Sequence, residues 1–467
     1  MTAINNEELV KRLARLAKQN QELEQLLKKL EKQNEKLALE NEKIKTLLGK
    51  GPQDFPGEGA DQQERSLKFN MATVLYAGLN IRKTAVESFD QVPVLDELDE
   101  IFFRFDEITA GFKTQKIKTI GDTYMCAGGI PVKNITNPVE VVLAAILMQN
   151  VLEDFEKEKR GYEEERIWEF KIGINTGQVT AAVTGRKKIS YDIKGDTVNN
   201  ASRLGTLSKN GSALITELTY ELVKELFVCD YFGKLPVKYK GNLGIYRVKG
   251  LKPELSVGGK GREPDENFWI KFRLIQFTDI QEIILDKLEK ELPGYLYYHN
   301  VKHTVDVVTE VELIGWAEGC TDLEILLLKT AALFHDAGHT ISYENHEYHG
   351  AEMAKKMLPS YGYSTAQLDR ICSLIMATKL PPKPADLLEQ IICDSDLDYL
   401  GRSDFIPVSN ALFEELKAQN KMNELNEWNK LQVKFISGHQ YFTRTARSLR
   451  EVNKQLQIER IQNLIEG

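Results

Sequence analysis

Leucine recurs every seventh residue at Leu9, Leu16, Leu23, Leu30 and Leu37, and Ile44 continues the series. Between them stand Leu13, Asn20, Leu27, Asn34, Asn41 and Leu48. Spacing that alternates three and four is the seam of a coiled coil. With leucine at d, the asparagines fall at a, where a buried amide costs stability but favours a parallel, in-register dimer. The pattern predicts a parallel dimeric coiled coil over residues 1–49. Glycine and proline in GKGPQDFPGEGADQQER then break the helix and predict a flexible linker over 50–65. From 66 to 250 helix and strand patterns alternate, which predicts an α/β domain. TVLYAGL is a buried strand. KIKTIGDTYMCAGG is a hairpin with Gly121 and Asp122 at its turn. FKIGINTGQVTAAV looks like strand, turn and strand, and YDIKGDTVNNASRL passes from a turn into a helix. A second punctuated stretch, KPELSVGGKGREPDE, predicts a linker over 251–266. From 267 to 467 the apolar period is helical, as in LEILLLKTAALF and LDRICSLIMA.

Composition narrows the class. A chain of 467 residues exceeds one ordinary core. A net charge of -8 gives no general attraction to nucleic acid or to an anionic membrane. The opening MTAINNEELVKR has no apolar h-region, and no apolar run reaches the length of a membrane span. The five cysteines are scattered without CxxC spacing, as in reduced core positions of a cytoplasmic protein.

The middle domain resembles the class III adenylyl and guanylyl cyclases from about Leu67 to Val248, because several of its phrases occur in that family's order and spacing. The resemblance implies a ferredoxin-like α/β fold that works as an antiparallel dimer, with nucleotide sites at the interface. It also implies Mg or Mn with ATP. Two aspartates hold two metal ions in that family, and an asparagine and an arginine stabilise the transition state. By motif, Asp122 matches the second metal aspartate, and Asn199 and Arg203 match the transition-state pair. Lys118 and Asp192 match the lysine and aspartate that select adenine. The first metal aspartate is missing, since Gly78 in LYAGLNIR stands in its place. Glycine offers a hard cation only a backbone carbonyl. This predicts weak or absent turnover in a homodimer. A heterodimer with a cyclase chain that carries both aspartates is the alternative, and a nucleotide-sensing module without turnover is another.

All seven histidines lie between His299 and His439. His299 and His303 are four apart, which on a helix puts them on one face. AALFHDAGHT ends an apolar helix in His335 and Asp336, with His339 four residues beyond His335. His346 and His349 follow in ENHEYHGAEMA, and Asp394, Asp396 and Asp398 in IICDSDLDYLGR. Imidazole with carboxylate suits Mn, Fe, Mg or Zn. This arrangement resembles the all-helical HD superfamily of metal-dependent phosphohydrolases. The resemblance implies His303, His335, Asp336 and Asp396 as ligands, with Asp394 as the rival for the last, and His346 for a second metal. YHNVKHTVDVV also resembles a phrase of cyclic-nucleotide phosphodiesterases, which implies His299 as general acid. The purine-clamping glutamine of those enzymes is not found in the sequence. Lys302, Lys379, Arg444 and Arg447 are candidate phosphate anchors; His349 and His439 have no assigned role.

Together these features predict a cytoplasmic dimer joined by the coiled coil and the cyclase domain, with ATP or cAMP as ligand and neither nucleic acid nor membrane as partner. The expected activity is a metal-dependent phosphohydrolase, with cyclic-nucleotide hydrolysis as one form of it.

Overall fold

The computed structural model describes residues 65–82, 91–161, 166–184, 190–209, 211–237 and 241–465. The expected coiled coil and first linker lie outside these. Within them, no helix is long and apolar enough to cross a membrane. All five cysteines are free and four of them are buried.

The first part is a sheet in the order β2-β3-β1-β4-β6-β8-β7, with β5 paired to β4. Its strands are β1 (Arg65–Ile81), β2 (Thr114–Ile120), β3 (Thr123–Gly128), β4 (Trp168–Thr184), β5 (Ser190–Lys194), β6 (Ser212–Thr216), β7 (Phe227–Val237) and β8 (Gly241–Leu251). The helices between them are α1 (Gln91–Gly111), α2 (Asn137–Arg160), α3 (Asp196–Leu207) and α4 (Glu217–Val223). The run β1-α1-β2-β3-α2-β4 with order β2-β3-β1-β4 is the ferredoxin-like arrangement that the sequence led us to expect. The hairpin falls where expected, with Gly121 at φ 58° supplying the turn.

Two expectations fail locally. FKIGINTGQVTAAV is not strand, turn and strand but part of the single strand β4. Its glycines serve close packing instead of a turn: a Cβ on Gly173 would lie 2.1 Å from the Ala201 carbonyl oxygen, and one on Gly177 2.7 Å from Thr197 Oγ1. Helix α3 therefore rests directly on β4. The stretch 252–266 is built, not slack. Leu251 N–H donates to Gly261 O, Val257 N–H to Glu263 O and Gly261 N–H to Ser256 Oγ, while Leu255 is buried in the first core.

The second part is helical: α5 (Glu266–Glu291), α6 (Val301–Ala317), α7 (Asp322–Phe334), α8 (His346–Met357), α9 (Thr365–Ala377), α10 (Leu387–Asp396), α11 (Phe405–Ala418), α12 (Leu425–Gly438) and α13 (Arg444–Gln462). Helix α7 is apolar on nearly every side because it runs through the middle of the core, with Ile325, Leu326, Leu328, Ala331, Leu333 and Phe334 all buried. Thr321 and Glu324 form a capping box that fixes its start. Its end delivers His335 and Asp336 to the centre of the bundle.

Candidate metal centre and nucleotide site

The histidine-rich site is assembled from four helix ends. Asn300 caps α6 by accepting from Lys302 N at 2.8 Å and His303 N at 3.2 Å. The helix therefore begins after His299, and the expected shared helical face for His299 and His303 is not formed. His303 stands in the first turn of α6 and His299 in the preceding turn, with ring centroids 6.1 Å apart. His335 follows the last residue of α7, and Asp336 leads into a 3-10 turn, Ala337–Thr340, that holds His339. His346 opens α8, and Asp396 closes α10. Glycine permits this convergence. A Cβ on Gly338 would lie 1.9 Å from the His346 carbonyl oxygen, and one on Gly350 2.3 Å from that of Phe334.

His303, His335 and Asp396 come together closely enough for one ion, and Asp336 Oδ2 lies beside the two imidazoles. His303 Nε2 lies 3.1 Å from Asp396 Oδ1, 3.4 Å from His335 Nε2 and 3.4 Å from Asp336 Oδ2. His335 Nε2 lies 3.3 Å from Asp336 Oδ2 and 3.4 Å from Asp396 Oδ1. Ligands about 2.1 Å from a shared cation stand about 3.0 to 3.4 Å from one another, depending on geometry. The donor set therefore fits one divalent ion. Asp336 Oδ2 is buried without a hydrogen-bond partner, as expected of an atom reserved for a cation. His335 Nδ1 donates to the Ala332 carbonyl at 2.7 Å, which leaves the Nε2 lone pair facing these groups. Burial alone would raise the Asp396 carboxyl and lower the His335 imidazole. Their mutual attraction, with His303 and Asp336, outweighs it, so Asp396 and Asp336 are held well below the carboxylate range and His335 well above its usual value.

The other oxygen of Asp336 faces a second group. Oδ1 lies 3.5 Å from His346 Nε2 and 3.8 Å from His339 Nε2. His346 Nδ1 donates to the Tyr343 carbonyl at 3.1 Å, so its Nε2 is also free to ligate. His339 is 2% exposed, and neither ring nitrogen has a hydrogen-bond partner. Burial pushes its pKa down to about 3, so it stays neutral, the form in which imidazole binds a metal. His299, Asp336 and His339 also meet closely enough for one ion. A carboxylate bridging two cation positions fits these contacts.

Asp394 is not in this group. It accepts from Phe442 N at 2.9 Å, Thr443 N at 2.7 Å and Thr443 Oγ1 at 2.7 Å, anchoring the start of α13. Asp398 is paired with Arg450. His349 lies outside both clusters, and His439 is far along the chain against Tyr441. Sequence reading missed Glu415. Its fully buried carboxylate accepts from Tyr298 N at 3.0 Å, His299 N at 3.1 Å and His299 Nδ1 at 2.5 Å. Burial opposes a charged His299, but Glu415 and Asp336 outweigh it and raise its pKa.

Several of these groups line a cavity of about 660 Å³. Its lining includes the polar His299, Asp336, His339, His346 and Asp396 and the apolar Leu412, Leu416, Trp428, Leu431 and Phe435. Gln432 lines it too, 4% exposed, its Oε1 without a partner. No motif marked this glutamine; its only sequence signal is a place on the inward side of α12. Lys379 and Lys421 also line the cavity. Of the other expected anchors, Lys302 pairs with Asp306 at 2.6 Å and faces a smaller neighbouring cavity. Arg447 is bound to the carbonyls of Tyr441 and Phe442, and neither it nor Arg444 reaches either cavity.

In the sheet domain, Lys118 Nζ and Asp192 Oδ1 meet at 2.7 Å, although 74 residues separate them. Asn199 and Arg203 sit one turn apart on the exposed side of α3, with Arg203 donating to the Pro236 carbonyl at 2.8 Å. Asp122 is exposed at the hairpin turn, and its carbonyl accepts from Leu79 N at 2.9 Å. Gly78 pairs across the sheet with Thr123, the residue after Asp122.

Comparison with known proteins follows the same division. Residues 65–250 match the family profile described as the adenylate and guanylate cyclase catalytic domain, and residues 300–398 match the HD domain. An adenylate cyclase of Mycobacterium tuberculosis is 30% identical over 232 residues, covering 48% of this chain and 51% of that protein. A receptor-type guanylate cyclase of Caenorhabditis elegans is 31% identical over 198 residues, 42% of this chain and 17% of that protein. The chain thus spans at most about half the length of these two relatives. Among solved structures, the adenylyl cyclase CyaB from P. aeruginosa is 26% identical, with 39% of this chain and 95% of that one covered at a TM-score of 0.36. One chain thus joins a class III adenylate and guanylate cyclase catalytic domain, matched over residues 65–250 of the sheet part, to an HD domain, matched over residues 300–398 of the helical part.

Proposed function

We propose that this protein is a cyclic-nucleotide phosphodiesterase whose HD centre opens the 3′ phosphoester of an adenine cyclic nucleotide, and whose cyclase-type domain binds adenine nucleotide. The observation that carries the first half is that His303 and His335 each lie within 3.4 Å of both Asp336 and Asp396, next to a cavity that a buried glutamine with an unpartnered amide oxygen also lines. A divalent cation in this donor set, Mn, Mg, Fe or Zn, would supply Lewis-acid polarisation of the phosphoryl group and a more acidic water.

The chain's own groups do the rest. Lys379 and Lys421 balance the phosphate charge at the cavity wall. Glu415 holds His299 Nδ1–H, which aims Nε2–H into the cavity. Water adds to phosphorus and loses a proton to solvent, the P–O3′ bond breaks, and His299 gives its proton to O3′ and regains one from solvent, leaving a 5′-monophosphate. Phe435, Leu431 and Trp428 offer a flat base an apolar surface, and the Gln432 amide offers it a hydrogen bond.

For the cyclase domain, the Lys118–Asp192 pair supports adenine selection, and Gly78 supports a site poor in turnover. Lys118, Asp192, Asn199 and Arg203 are reachable from solvent in a single chain, which suits nucleotide capture between two chains, either two copies or this chain with a cyclase partner.

The test is product identification. Purified protein with Mn²⁺ should convert cAMP to 5′-AMP, and His335→Ala should lose both bound metal and hydrolysis while keeping its oligomeric state. Full hydrolysis with full metal content in that variant would remove the assignment. Conversion of ATP to cAMP would instead show that Asp122 alone suffices.

A further inference from the structure

Helix α5 belongs to both domains. At about 1.5 Å per residue its 26 residues span about 39 Å. Phe268 and Phe272 are buried in the core of the cyclase domain; Phe277, Ile280, Ile284 and Leu288 are buried in that of the HD domain. On its HD side α5 packs against α7, which ends one residue before His335, and against the 3-10 turn that holds His339.

The other end of the connection is the hairpin β2–β3, which carries Lys118 and, at its turn, Asp122. Both feet of this hairpin are tied to the helical domain. After β3 the chain reaches Ile135, whose backbone N–H donates to both carboxylate oxygens of Asp279 on α5, at 3.0 and 3.1 Å. Just before β2, Lys113 sits with Nζ 4.6 Å from the ring centre of Tyr361, which follows α8 and therefore His346. A rigid antiparallel pair clamped at both feet transmits a shift at its tip to the elements that hold the clamps. Helix α5 packs on α7 and on the 3-10 turn, which flank His335 and Asp336 and hold His339, and Tyr361 follows the helix that His346 opens.

We propose that the Asp279–Ile135 clamp, supported by Lys113 on Tyr361, couples the nucleotide-reading hairpin to the metal-ligand turns, so that nucleotide bound at the cyclase domain changes the HD centre. The proposal rests on the metal-centre reading above, but its test does not require turnover. Asp279 is a positioning residue and touches no ligand atom.

The probe is 3′-deoxy-ATP with Mg²⁺, which lacks the hydroxyl needed for cyclisation. Hydrogen exchange of the full-length protein is followed in peptides covering 335–346, with and without the probe, beside cAMP hydrolysis. In the unaltered protein we expect a changed exchange rate there and a change of threefold or more in hydrolysis. In Asp279→Ala both responses should vanish, while probe affinity and probe-free hydrolysis stay within twofold. Lys113→Gln, which leaves α5 untouched, should weaken the response and guards against a folding defect in the first variant. No exchange response in the unaltered protein, or the same response in both variants, overturns the proposal. Exchange that responds in a protein with no cAMP hydrolysis would retain the clamp and remove the phosphodiesterase reading instead.

Discussion

Glu415→Gln separates acid catalysis from scaffolding. The Glu415 carboxylate is fully buried and accepts three hydrogen bonds, one of them from His299 Nδ1 at 2.5 Å. A glutamine keeps the size and can still accept from the two backbone N–H groups through its one oxygen. Its amide N–H₂ then points at His299 Nδ1, which must become an acceptor. The imidazole is left neutral with its proton on Nε2, a far weaker acid than the imidazolium it replaces. General acid catalysis is worth about 10² to 10⁴ in rate, or roughly 2.7 to 5.4 kcal/mol. The expected fall in kcat for cAMP lies in that range. With bis(4-nitrophenyl) phosphate, whose leaving group departs as an anion without a proton, kcat should change less than fivefold. Metal content, measured by emission spectroscopy, should be unchanged, because Glu415 is in neither metal cluster. An equal loss for both substrates with full metal would refute the acid role and leave Glu415 as packing. Unchanged cAMP hydrolysis would refute the participation of His299.

Gly78→Asp should restore the missing carboxylate. A Cβ there meets only Asn80 Nδ2, at 3.8 Å, so the strand tolerates it. ATP-to-cAMP conversion by Mn²⁺-loaded protein should rise at least tenfold, about 1.4 kcal/mol, and no rise in a folded variant that binds ATP places the defect elsewhere. His439 gives a stability signature away from the metal centre. Burial first, and Lys454 second, push its pKa down to about 4, below the usual 6.5. The unfolded chain therefore binds more protons between these values, and this part of the stability, present above pH 6.5, is lost as pH falls toward 4. Thermal midpoints should fall less between pH 7 and 5 in His439→Phe than in the unaltered protein, and parallel curves would show that His439 does not contribute.

The spatial cluster of candidate ligands was legible because such residue combinations are rare in sequence. Histidine-aspartate after an apolar helix has few uses, and the phrases around His303, His335, Asp336 and Asp396 were enough to nominate the cluster. The hairpin, the order of the domains and the Lys118–Asp192 pair were legible for a similar reason, since turn glycine and recurring phrases act locally. Other features were not local. Asp394 and Asp396 are equivalent in sequence. What separates them is which side of α10 faces Phe442 and Thr443 and which faces His303 and His335. Glu415 and Gln432 are ordinary residues on ordinary helices, and they matter only because α11 and α12 fold over the site.

What the sequence alone determined is therefore the types of candidate functional side chain and the order of the parts, because periodicity, turn residues and short motifs act within a few residues of one another. Only the tertiary structure decided that Gly173, Gly177, Gly338 and Gly350 sit at close packing contacts, that Asp336 turns one oxygen toward His335 and the other toward His346, and that α5 is shared by two cores. Those facts depend on the distance between segments far apart in the chain, and burial sets that distance.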